Sequence, residues 1–183
     1  MSESSGGRYQ RTPGGLVGAM LVTVLVVVAF AAFRGLTRDN EPTPVRTVDY
    51  ATWVKAGRAD GKLALLVPDP LPLGWRATSA SYATGSAPAW HLGLLTSEDS
   101  YVGVEEARES VDDLVAEHVD ADATQGDAVR IGGQRWQSWT DAGGDYAVGR
   151  SLKGPDGTPE SVLVVGTAPA DQVREVAASL RAR

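Results

Sequence analysis

Only two imidazoles occur in the 183 residues, His91 and His118, and there is no cysteine. Histidine titrates near neutrality, so each is a candidate general base wherever a partner stands beside it. His91 lies in Trp90-His91-Leu92-Gly93, and Glu105 closes Tyr101-Val102-Gly103-Val104-Glu105. If these segments are adjacent strands, His91 and Glu105 form an acid–base pair. Against chemistry stands the lack of any H-x-x-x-H, G-x-S-x-G, P-loop or G-x-G-x-x-G pattern, which leaves hydrolase, zinc and nucleotide readings without a local signature. Zero cysteine also removes disulfides, thiolate metal sites and cysteine nucleophiles. The expectation is no enzyme, no catalytic residues, no cofactor and no metal.

Binding residues are easier to nominate. Five tryptophans are present: Trp53, Trp75, Trp90, Trp136 and Trp139. Trp136 and Trp139 differ by an odd number, so one regular strand points them to opposite faces. Core is the favoured role for most of the five, and an exposed one serves as an interface aromatic. The candidate binding surface comprises Trp90, His91, Tyr101, Glu105, Trp136 and Trp139. Between Glu105 and Asp127, nine acids face one base, Arg108. That run reads as a solvated acidic face able to steer a cationic partner. Asp120-Ala-Asp122-Ala-Thr124 opens like a calcium loop, but Gln125 and Ile131 stand where an EF-hand needs Gly and Glu.

Period-two alternation predicts the strands that position these residues: Leu63–Val67, Trp75–Tyr82, Trp90–Thr96, Tyr101–Glu106, Val129–Ile131, Gln134–Trp139, Tyr146–Leu152 and Ser161–Gly166. The links Ser97–Ser100, Gly132-Gly133, Ala142–Asp145 and Gly154–Gly157 carry hairpin chemistry, so neighbours pair antiparallel. Asp49 caps a short helix over Tyr50–Arg58, and Ser110 caps another with Asp112 and Asp113 in its first turn. A last helix opens at Pro169, with Val173, Val176, Ala177 and Leu180 as its apolar stripe and Arg181 and Arg183 at its end. The fold class is α+β: an N-terminal transmembrane helix, then one domain with a mainly antiparallel sheet of about six to eight strands packed by two or three helices.

Leu16–Phe33 is an uncharged apolar run, long enough at 1.5 Å per residue to cover about 27 Å of bilayer. It reads as an uncleaved anchor; the alternative is a signal peptide cut after Ala29-Phe30-Ala31. Arg8, Arg11, Arg34 and Arg38 against Glu3 make residues 1–38 net +3, which leaves -9 of the total -6 to the rest. A domain at -9 excludes nucleic-acid binding. The arginines tie across the run, so the free amino group alone sets the orientation. The expected organisation is a cytoplasmic tail over 1–15, the anchor over 16–33, a Pro-containing linker over 34–48 and an extracytoplasmic domain over 49–183, in a single-pass cell-membrane protein.

Several segments together resemble a known family. They are the apolar run, Pro68-x-x-Leu71-Pro72-x-Gly74-Trp75-Arg76, the two segments around His91 and Glu105, Gly132-Gly133-x-x-Trp136, and Gly166-Thr167-Ala168 before the last helix. In these the chain resembles the actinobacterial membrane-anchored family termed domain of unknown function 4245, and its Pro-x-Gly-Trp turn, successive antiparallel strands and final helix are more distantly similar to the PsbP/Mog1-like sandwich. The resemblance implies a single-pass protein with an extracytoplasmic α+β domain; its motifs are structural and name no reaction. The resulting expectation is a non-enzymatic interaction or ligand-binding module of the cell envelope, contacting the membrane through 16–33 and an unknown envelope protein or ligand. The alternatives are an envelope enzyme using the His91/Glu105 pair, or a structural subunit of a membrane complex.

Overall fold

The computed structural model describes residues 46–182, together with residues 20, 23, 24 and 26–28. The chain divides into two units, Met1–Pro44 and Val45–Arg183. In the first, the described residues are helical, and Met20, Val24, Val26, Val27 and Val28 are exposed. The predicted tail, the rest of the 16–33 run and nearly all of the linker lie outside the described residues. Among the described residues, no helix is long and apolar enough to cross a membrane.

In the second unit, alternating sequences and tight turns produce a meander. Helix α1 (Ala51–Asp60) leads to β1 (Leu66–Pro68), β2 (Arg76–Ala83), β3 (Ala89–Leu95) and β4 (Tyr101–Ala107). Helix α2 (Val111–His118) follows, then β5 (Thr124–Gln125), β6 (Val129–Ile131), β7 (Gln134–Thr140), β8 (Tyr146–Lys153) and β9 (Pro159–Gly166). Helix α3 (Ala170–Ser179) and β10 (Leu180–Ala182) close the chain. Eight strands form one antiparallel sheet in the order β2-β3-β4-β9-β8-β7-β5, with β6 also on β7, while β1 and β10 form a separate ribbon. The fold class is α+β, as expected.

The predicted turn chemistry is visible. Gly132 and Gly133 both take positive φ, 57° and 80°, the pair that a two-residue hairpin between β6 and β7 demands. Ser110 and Asp113 form a reciprocal capping box on α2. Asp49 is not the cap expected: α1 starts at Ala51 with Tyr50 as its N-cap, and Asp49 lies one residue earlier, its Oδ1 accepting from the Ala51 amide at 3.0 Å.

One face of the sheet is covered, and the other is covered over β7, β8 and β9. On one, α1, α3 and the β1–β10 ribbon enclose Leu92, Leu94, Val102, Val104, Val148, Val162 and Val164. On the other, Leu114 and Val115 of α2 pack on Trp139, Ala147, Leu163 and Val165. Each fully buried Leu or Val here contributes roughly 2 kcal/mol.

Three expectations need correcting. Helix α3 stops at Ser179, so Leu180 and Arg181 belong to β10, which pairs with β1. Strand β5 was not foreseen. The acidic run is not wholly solvated: Glu105 and Glu106 are 5% and 1% exposed. Adjacent residues on a strand point to opposite faces, so each carboxylate needs its own buried partners.

Candidate functional site

Strand register assembles the site. Ser81 pairs with His91 and Ser79 with Gly93 across β2 and β3, while His91 pairs with Glu105 and Gly93 with Gly103 across β3 and β4. Alternation places these side chains on the face that α2 occupies. Helix α2, however, packs chiefly over β8 and β9, and the helix that contacts β2 is α1, on the opposite face. The β2–β4 half of that face is therefore a polar floor beside a helical wall.

The expected pair forms on this floor: His91 Nδ1 lies 2.7 Å from Glu105 Oε1. A carboxylate only accepts, so in the neutral imidazole Nδ1 carries the proton and donates it. That leaves Nε2 as an acceptor, and the Ser79 hydroxyl stands 2.8 Å from it. The three groups make one line, Ser79–His91–Glu105, with every donor and acceptor role consistent. Hydrogen bonding to Glu105 raises the His91 pKa above its usual 6.5, partly opposed by burial. His118, at the end of α2, brings Nε2 to 4.0 Å from the second carboxylate oxygen.

Two glycines make room for this. A Cβ on Gly93 would collide with Ser79 Oγ, and one on Gly103 would lie 2.8 Å from Tyr101 Oη and 3.1 Å from Glu105 Oε1. Burial, and the Glu105 charge, push the Tyr101 phenol up to about 12, so it keeps its proton across the physiological range. Beside the line, a hollow of about 240 Å³ opens between the floor residues Ser81, Ala89 and His91 and the α2 residues Leu114, Glu117 and His118. Among the described residues, no group of three or more His, Asp or Glu side chains is arranged to hold a metal ion.

The family model described as protein of unknown function (DUF4245) matches residues 8–180. The chain belongs to that family. One solved structure, the complex structure of Pseudomonas aeruginosa MucA/MucB, is similar at 18% identity and a TM-score of 0.39, over 64% of this chain and 35% of that one. This DUF4245 chain thus spans about a third of the length of the chain it matches there. No curated protein matches it.

Of the six residues nominated from this DUF4245 sequence, the structure brings together His91, Tyr101 and Glu105. The tryptophans lie elsewhere. Trp90 is 1% exposed on the opposite face, its Nε1 donating to the Leu66 carbonyl at 3.1 Å. Trp136 is buried on that face as well, with the Arg150 guanidinium 5.1 Å above its ring. Trp139 is buried beneath α2. Trp136 and Trp139 do occupy opposite faces, and because each face is covered at their positions, both are core. Sequence reasoning missed Ser79. The only signal for it was a small hydroxyl at even spacing along Arg76–Ala83, and strand register alone places it against His91.

Proposed function

We propose that this DUF4245 chain is a membrane-tethered, extracytoplasmic module of the cell envelope that binds a ligand or partner protein without transforming it. The observation that carries this reading is the nearly buried Glu105 carboxylate, oriented by His91 on the uncovered half of a sheet and adjoining a hollow. Desolvating a carboxylate is costly unless it is paired, and here the pair stands at the edge of space that another molecule can fill. The apolar 16–33 run supports the tether, and the net charge of -9 beyond residue 38 is compatible with external placement, since acidic charge does not block translocation.

Filling the hollow tests the reading. Ser81 is exposed at its rim, so Ser81→Trp occupies the space without disturbing either core. In-cell crosslinking of the tagged wild type should capture an envelope component that the Ser81→Trp protein loses. Identical capture by both proteins overturns the assignment to this hollow.

A second reading, an envelope enzyme with His91 and Glu105 as its acid–base pair, is favoured by one specific observation. Nε2 of His91 is directed to a hydroxyl rather than left to solvent. Full complementation of a deletion strain by His91→Gln eliminates it.

A further inference from the structure

We infer that Ser79 is the nucleophile of a Ser79–His91–Glu105 acyl-transfer centre whose substrates are carboxylic esters. This develops the enzymatic reading above and rests on it. A nucleophilic hydroxyl is recognised by three geometric facts: a base within hydrogen-bond reach, a third group orienting that base, and an open approach. The first two are present, and the space that would admit a substrate is the hollow lined by the neighbouring Ser81 and His91. Ser79 Oγ is 2.8 Å from His91 Nε2, and Glu105 Oε1 is 2.7 Å from Nδ1. Ser79 is half-buried on the floor, with the hollow next to His91 to receive part of a substrate.

The packing holds this geometry in place. Ser79 Oγ occupies the space that a side chain on Gly93 would take, and the Tyr101 ring stands on its other side, 3.2 Å from that same position. The hydroxyl is thus confined against the imidazole. Ser81, two residues along the same strand and face, is exposed and lies opposite His91 in register, yet the His91 nitrogen selects Ser79. Glu105 keeps Nδ1 protonated, so the lone pair belongs to Nε2.

The step balances. Ser79 Oγ attacks the ester carbonyl carbon, its proton passes to His91 Nε2, and a C–O bond forms to give a tetrahedral adduct. Collapse breaks the bond to the alcohol oxygen, which leaves with the proton from Nε2. Water then repeats the sequence on the acyl-serine, returning the carboxylic acid and free Ser79. No oxidant, reductant or metal enters.

The full-length protein is treated with p-nitrophenyl acetate and, separately, with a fluorophosphonate, and adducts are located by intact mass and peptide mapping. One adduct is expected, on Ser79. His91→Gln should slow it by about 10²- to 10⁴-fold, the usual contribution of a positioned general base. The rate should rise with pH through a midpoint above 6.5, and Ser79→Ala, too small a change to unfold a strand, should remain unlabelled. Absence of a Ser79 adduct, equal labelling of Ser81, or indifference to His91→Gln overturns the proposal. If Ser79 stays unlabelled while His91→Gln still fails to complement, the acid–base reading stands with a different nucleophile. If His91→Gln complements fully, both fall together.

Discussion

Glu105 and Glu106 are neighbours in sequence, yet they answer to different chemistry because β4 directs them to opposite faces. Glu105 is satisfied by an imidazole at the edge of solvent, whereas Glu106 accepts from the Leu65 and Leu66 amides at 2.8 and 2.7 Å inside the core. The first arrangement makes His91 a reporter. Replacing Glu105 by Gln leaves only a neutral acceptor for Nδ1 and removes the charge that raises the imidazole pKa, so the His91 midpoint followed by NMR should drop toward 6.5 or below, where burial opposes the charged form. The stability linkage has a definite sign. A histidine with a raised native pKa stabilises fully below the unfolded value of 6.5 and loses that contribution as pH climbs through the native one. Glu105→Gln should abolish that slope in urea denaturation between pH 6 and 8, and a slope unchanged by the substitution contradicts the pairing. The His91–Glu105 pairing was legible, because both segments read as adjacent strands; the burial of the two carboxylates was not, because composition makes consecutive acids look solvated.

At the scale of elements, the segment entering β1 shows what Glu106 does. Leu65 adopts a left-handed φ of 54° while fully buried, and the amides of Ala64, Leu65 and Leu66 together hold two carboxyls, Glu160 Oε1 and both oxygens of Glu106. Glu160 Oε2 has no donor, so a proton retained on the pair satisfies it. Burial is the main cause that lifts Glu106 to about 7, and Glu160 is raised as well. The native state therefore keeps a proton that the unfolded chain releases near 4.5. This contribution is complete below pH 4.5 and falls by about 3 kcal/mol as pH approaches 7. Glu106→Gln should flatten that decline in denaturant midpoints measured from pH 4.5 to 7. Helix α2 depends instead on a missing side chain. A Cβ on Gly149 would lie 2.6 Å from Val111 Cγ1, 3.1 Å from Leu163 Cδ1 and 3.2 Å from Trp139 Cζ3. Gly149→Ala should cost roughly 1–3 kcal/mol by overpacking and lift α2 off the sheet, which fluorescence of Trp139 will register. Strands longer than about six residues were legible from their alternation and turn glycines. Strands β5 and β10 were not, because Thr124–Gln125 is only two polar residues within an acidic stretch, and Leu180 continued the α3 stripe so well that helix and strand looked alike.

In the Val45–Arg183 unit, the sheet is covered by helices on one face and half covered on the other, and the uncovered half carries the Ser79–His91–Glu105 line. On the proposed readings, the compartment that this half faces decides which ligands or esters can reach it. The lack of any cysteine makes the question direct. A single cysteine must stand where it is exposed and bonded to nothing that the fold needs. Asp156, at a hairpin tip, fails this because it is bonded to Arg108 and to the Thr158 amide. Leu73 meets it: the residue is 99% exposed, and truncating it there removes little buried contact. Leu73→Cys should leave stability within about 0.5 kcal/mol of wild type. A membrane-impermeant maleimide applied to intact cells should then label it, as an extracytoplasmic domain requires. Labelling only after lysis places the floor of β2, β3 and β4 on the cytoplasmic side, removes the envelope from the proposed function and moves the candidate ligands inside the cell. The hydrogen-bonded line and its predicted reactivity would be untouched by that outcome, because they depend on register and not on compartment.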